Sequence, residues 1–280
     1  MIPFRNIRMD LMSSKEVAKY LKRNDAVILP LGCFEMHGPR VPLACDSFND
    51  WVGSLLLGER WNCLVMPPVT YTFPGASGPW PGTVDISHEI TIAYVKEIAL
   101  ALLRNGFGRV ILCSSHAPNI GAMTIVSSSI FHETGNVVMA ISPHRLLRPA
   151  DLVEKEFKGR FRDVVREDVF LLGSLKLLGL HGAFDPTMGK DRPAEFPLPA
   201  IRKFAPYVGS GCVPWIFVAD HQHTGLRKGV TLDDADRALR VMRTAAKRLP
   251  DLPKFFAEYQ RQVARAMKDK PWTKENIWTA

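Results

Sequence analysis

Residues 26–46 read AVILPLGCFEMHGPRVPLACD. The opening AVILPLG has the composition of a buried strand, and the chain then enters a loop that holds Glu35, His37 and Asp46 among glycines and prolines. Outward from this point, short apolar runs alternate with segments of helical periodicity. That alternation is the pattern of a mainly parallel sheet covered by helices on both faces, an α/β fold of three layers, α/β/α.

The neighbouring segments carry the same rhythm. Helix is predicted over Ser14 to Lys22, where a serine can cap and Val17, Tyr20 and Leu21 mark one side, and over His88 to Arg104 behind Ser87. A strand candidate follows each, AVILPLG at 26–32 and RVILCSS at 109–115. Between them lie a helical stretch after Asp46, DWVGSLLLGER, and a run with strand character, CLVMPPV at 63–69. Residues 120–133 read as helix and NVVMAIS at 136–142 as strand. Beyond 143 come a polar helix near 150–160, the apolar helix VFLLGSLKLLGL, a late strand candidate VPWIFVAD at 213–220, and helix from Leu232 to about Met267 with a break at Pro250 and Pro253. Two Gly/Pro-rich segments, TYTFPGASGPWPGTVD at 70–85 and HGAFDPTMGKDRPAEFPLP from His181, interrupt this order. The first is too long and irregular for a connector and reads as a functional loop.

Bulk properties narrow the classes. A chain of 280 residues, 46% hydrophobic and 23% charged, is ordinary for a globular protein, and no break in composition forces a division of residues 1–280 into two domains. Its apolar runs are far shorter than the roughly 20 residues that cross a bilayer, and MIPFRNIRMD lacks the apolar core of a signal peptide, so a cytoplasmic, membrane-free protein is expected. Five cysteines without a CxxC pair suggest neither a disulfide framework nor a cysteine zinc site. The net charge of +8 is concentrated on C-terminal segments patterned as solvated helix faces, with no basic tract or nucleic-acid-binding motif. A field favourable to a small anionic substrate is the reading adopted for that charge, and no nucleic-acid partner is expected.

In open α/β sheets, ligands collect beyond the carboxyl ends of the strands. That rule joins the loop of Glu35, His37 and Asp46 to the SSHAPN turn at 114–119, which holds His116. Residues two apart in an extended segment project to one side, so Glu35 and His37 can converge. Two carboxylates and two imidazoles suit Zn²⁺ or Mn²⁺, and a carboxylate such as Asp46 can bridge two ions. The alternative is that these histidines cap carbonyls or satisfy turns.

LPLGCFEMHGPRVPLACD at 29–46 resembles the first motif of the creatininase family, L-P-x-G-x-x-E-x-H-G-x-x-x-P-x-x-x-D, at every fixed position. Trp80-Pro81-Gly82-Thr83 is similar to that family's F-P-G-T motif, and Ser114-Ser115-His116-Ala117-Pro118-Asn119 is a degenerate form of its N-G-H-G-G-N. The resemblance covers about residues 10–145, and GLRKGVTLDDADRALRVM extends it weakly towards the C-terminus. It implies one creatininase-like domain over 1–280, a homo-oligomer, commonly a hexamer, and two divalent ions per chain (Zn, Mn or Fe). Glu35, His37, Asp46 and His116 would be their ligands, with Asp46 bridging. The family activates water at that centre for attack on an amide-like carbonyl of a small molecule.

Two departures mark the chain. The family's H-A-G-E-x-E-T-S motif corresponds to the segment from Arg166 to Leu175, where the histidine is absent, and Pro118 stands where family members carry a Glu two residues after the metal histidine. Glu167 is therefore assigned as fifth ligand or as acid/base, and His181 as an alternative general base. His221 and His223 have a spacing able to ligate or to cover the site. The resulting expectation is a metal-dependent hydrolase that cleaves a C–N amide bond in a small cyclic or compact polar molecule. Hydrolytic C–C opening of a cyclic ketone and a non-catalytic metal-binding member are the alternatives.

Overall fold

The five residues of β1, Ala26–Pro30, are all buried, and hydrogen-bonded neighbours on both sides account for this. The fold, a computed structural model, describes residues 3–38, 40–160, 166–185, 187, 203 and 230–273. β1 pairs in parallel with β2 (Leu64–Val65) and with β3 (Arg109–Cys113), and β3 pairs in parallel with β4 (Met139–Ile141), giving the order β2-β1-β3-β4. Parallel strands need crossovers, and helices supply them: α2 (Cys45–Trp61) leads from β1 to β2, α3 (His88–Arg104) from β2 to β3, and α4 (Ala117–Thr134) from β3 to β4. α1 (Ser14–Leu21) precedes β1. After β4 follow α5 (Pro143–Leu147), α6 (Ala150–Phe157), α7 (Arg166–Leu177), α8 (Leu232–Arg248) and α9 (Leu252–Asp269).

Alternate residues of the sheet feed two separate cores. Ala26, Ile28, Ile111 and Cys113 pack with α2 and the helices from α5 to α8. Val27, Leu29, Val110 and Leu112 pack with α1, α3 and α4 on the opposite face. The period of two in a strand thus builds the three layers, α/β/α, that the alternation of sequence signals predicts. Among the described residues no helix is long and apolar enough to cross a membrane.

Local signals set the helix ends. α1 begins one residue later than its cap: the Ser13 hydroxyl accepts from Glu16 N at 3.3 Å while the Glu16 carboxylate accepts from Ser13 N at 2.7 Å, a reciprocal capping box. α3 has the predicted limits, with Ser87 accepting from Ile90 N. β1 and β3 end two residues earlier than expected and α4 begins three residues earlier, and three further expectations shift. α2 begins at Cys45 and so takes Asp46 into its first turn. The 63–69 segment keeps only two ladder residues plus a bridge from Val69 to Leu31, because Pro67 and Pro68 lack the N–H a ladder needs. β4 is shorter than 136–142. The predicted strand at 213–220 lies outside the described residues.

Candidate metal centre

The register pairs Pro30 with Cys113, so the chain leaves β1 and β3 side by side at the carboxyl edge of the sheet. Tight packing follows immediately. A Cβ on Gly32 would lie 2.2 Å from Ser47 Oγ and 2.3 Å from Ser47 Cα, so only glycine lets the departing chain pass α2 this closely. The same backbone is pinned from three directions. Thr72 Oγ1 donates to Gly32 O at 2.6 Å, Asn119 Nδ2 donates to Gly32 O at 2.8 Å, and Ser47 Oγ donates to Cys33 O at 3.1 Å.

From this fixed exit the chain presents Glu35 and His37, and α2 presents Asp46 from its first turn. His116 sits at the N-cap of α4, with Pro118 in the first turn where a missing N–H costs nothing. All four side chains are buried, and they meet. His116 Nε2 lies 3.1 Å from Glu35 Oε1, His37 Nδ1 lies 3.9 Å from the same oxygen, and His37 Nε2 lies 3.6 Å from Asp46 Oδ2. The donor atoms form two trios that share Glu35: Glu35, His37 and Asp46 in one, Cys33, Glu35 and His116 in the other, each within 4.8 Å.

The electrostatics favour a cation here. Burial opposes the charged form of Glu35, yet the His116 hydrogen bond and charge, then His37 and the Ser77 hydroxyl, hold its carboxyl below the ordinary range. Burial likewise opposes a charged His116, but the Asp46 carboxylate and then Glu35 raise its basicity. His116 Nδ1 is buried without a hydrogen-bond partner among the described residues. A polar nitrogen left so is costly, and on the other side of the ring Nε2 faces Glu35, where two carboxylates and two imidazoles form a donor set that a divalent ion accepts. These residues therefore fit a metal by their chemistry as well as their convergence.

A supporting shell fixes the elements that carry these four side chains. Asp50, one turn beyond Asp46 and fully buried, accepts from Ser115 N at 2.8 Å and from Ser114 Oγ at 2.9 Å, tying α2 to the turn that carries His116. Burial, and then the Asp46 charge, push its carboxyl up to about 7. The 70–85 loop covers the centre: Ser77 Oγ donates to Glu35 Oε2, Met36 N donates to Thr83 Oγ1 at 3.0 Å, and Val84 N donates to Phe34 O at 3.0 Å. The segment expected to be a functional loop thus lies against the chain that carries Glu35.

Other sequence candidates fall elsewhere. Glu167 lies in the first turn of α7, and its side chain is outside the described residues, as are His221 and His223. His181 is exposed on a short turn, His181–Ala183, and neither donor trio includes it. Two residues that sequence reasoning passes over enter the site. Cys33 could be found by extending the period of two from Glu35 and His37 by one step back. Ser77 had no signal, because an irregular loop carries no periodicity from which to read direction.

A family model described as creatininase, creatinine amidohydrolase, matches residues 10–170. A 3-dehydro-scyllo-inosose hydrolase of Thermotoga maritima is 30% identical over 106 residues, 38% of this chain and 34% of that one. A creatinine amidohydrolase of Pseudomonas putida is 28% identical over 111 residues, 38% of this chain and 43% of that one. The similarity thus spans less than half the length of these curated relatives. A solved structure named "Creatininase Mn" superposes with a TM-score of 0.65 at 18% identity, covering 86% of this chain and 96% of that one, which shows the shared fold. With more than half of its residues inside the family match, the chain belongs to the creatininase family.

Proposed function

We propose that this protein is a metal-dependent hydrolase whose centre holds two divalent ions, Zn²⁺ or Mn²⁺, between Glu35, His37, Asp46 and His116. The observation that carries the reading is the burial of two carboxylates and two imidazoles within bonding reach of common points at the sheet edge. When bound, such ions polarise a carbonyl oxygen and make water acidic enough to attack near neutral pH. The chain's own residues do the rest. Glu35 and Asp46 offset part of the cations' charge, Ser77 orients the Glu35 carboxylate, Asp50 holds α2 against the turn that carries His116, and the 70–85 loop covers the centre. Glu167 is assigned the proton transfer to the leaving group, the role left open by the missing motif histidine.

The substrate class is a small cyclic or compact polar molecule, and the reaction adds water across an amide C–N bond to give a carboxylate and an amine. A second reading, hydrolytic C–C opening of a cyclic ketone by the same residues, is favoured by the relative named for 3-dehydro-scyllo-inosose. Both are tested by incubating the Zn- or Mn-loaded protein with panels of cyclic amides and cyclic polyol ketones and following ring opening by NMR. Release of an amine supports the first reading, and a carboxylate formed without an amine supports the second. Turnover that survives chelation, or that persists in Asp46→Asn, would sink both.

A further inference from the structure

We propose that Cys33 is a thiolate ligand to the ion held by Glu35 and His116, so that one position of the centre carries sulfur while the other, bounded by Glu35, His37 and Asp46, carries oxygen and nitrogen alone. The inference rests on the metal-centre reading above and extends it to a residue outside the family motif's fixed positions.

Four observations carry it. Cys33, Glu35 and His37 occupy alternate positions of the chain as it leaves β1, and both Cys33 and His37 share a donor group with Glu35. The sulfur, the Glu35 carboxylate and the His116 imidazole lie within 4.8 Å of one another, and Cys33 is fully buried. Hydrogen bonds from Thr72 Oγ1 to Gly32 O and from Ser47 Oγ to Cys33 O fix the backbone that carries the thiol. The contact its sulfur makes, with Thr72 O at 3.9 Å, is at the long end for sulfur and leaves it available to a stronger acceptor of its electrons.

Without metal, burial and then the Glu35 and Asp46 charges keep the Cys33 thiol protonated, and it is the charge of bound dications that reverses this balance. Glu35 and Asp46 bring two negative charges against the four of two dications, and Pro118, two residues after His116, brings no side-chain donor. A thiolate adds a third negative charge and a donor that Zn²⁺ accepts at about 2.3 Å. As the sulfur–metal bond forms, the thiol proton leaves to solvent, and no electron changes hands. Sulfur at one position and only oxygen and nitrogen at the other make the two positions unlike, the first suited to softer ions and the second to harder ones.

The test uses the full chain, stripped of metal and titrated with Co²⁺. The expected result is a near-ultraviolet thiolate-to-cobalt charge-transfer band that grows with bound cobalt, disappears in Cys33→Ser while the visible cobalt bands remain, and persists in Cys63→Ser, whose thiol is buried ahead of β2. Zinc-edge X-ray absorption of the unmutated protein gives a second readout that needs no variant, a sulfur scatterer at about 2.3 Å. Cobalt bound without the charge-transfer band, a band that survives Cys33→Ser, or a zinc shell of nitrogen and oxygen alone would overturn the role of Cys33 and leave the metal centre standing. Failure to bind cobalt at all would overturn the centre itself and this inference with it.

Discussion

Asp50→Asn gives a prediction whose size follows from the geometry. The carboxyl is fully buried, and burial with the Asp46 charge pushes it from the ordinary 3.8 up to about 7. A folded-state value above the unfolded one means that the folded chain binds the extra proton between those limits. Stability from this group is therefore complete below about pH 4 and is lost as pH rises through about 7. Linkage between the two values removes roughly 2 to 3 kcal/mol from the metal-free protein between pH 5 and pH 8. Asparagine mimics the protonated acid. Its oxygen can accept from Ser115 N and its amide can donate to Ser114 Oγ, which then gives its own proton to Leu31 O, 2.5 Å away. Urea denaturation in EDTA at both pH values, on the natural chain and on the variant, is the assay. The stability difference between them should widen by roughly 2 to 3 kcal/mol in favour of Asp50→Asn at pH 8. An unchanged difference, or a variant that loses ground as pH rises, would refute the argument that Asp50 is held towards its neutral form by burial and by Asp46.

Ser77→Ala removes the hydroxyl that donates to Glu35 Oε2 and should weaken metal affinity by about tenfold to a hundredfold, as loss of an outer partner commonly does, read by competition with a chromogenic chelator. Gly32→Ala places a Cβ 2.3 Å from Ser47 Cα and 2.6 Å from Ser47 N, a backbone clash that no rotamer relieves. Its cost should reach at least the upper end of overpacking, about 3 kcal/mol, measured as a lowered urea midpoint. Leu57→Ala, on the buried face of α2, should cost about 2 to 5 kcal/mol through the cavity it leaves, yet leave metal stoichiometry unchanged because Leu57 belongs to the core below the site.

Much of this architecture was legible from the chain alone. The buried run at β1 and the period of helices around it follow from burial on both faces of a parallel sheet, and Ser87 and the 88–104 segment declare their helix through a cap and a periodic face. Strand lengths were less legible. Pro67 and Pro68 cut β2 short for a reason visible in the sequence, whereas the limits of β3 and β4 depend on which neighbour continues the ladder. At the site, shared strand ends and the alternation of side chains brought Glu35, His37, Asp46 and His116 into one candidate group, and the resemblance to the family motif assigned them as its ligands. Asp50 could not, since its role depends on the distance between α2 and the turn after β3, which no local pattern encodes. Ser77 and Cys33 differ in kind: the first comes from an aperiodic loop, while the second obeyed the same alternation as Glu35 and needed only to be included.

The most direct measurement is an anomalous-difference map from crystals of the protein grown with its metals retained, collected on both sides of the zinc and manganese absorption edges. Two neighbouring peaks are predicted at the carboxyl edge of the sheet, one bounded by Glu35 and His116, the other by Glu35, His37 and Asp46. A map with no peak there, or with His116 turned away from Glu35, would contradict the metal centre and leave only the three-layer fold.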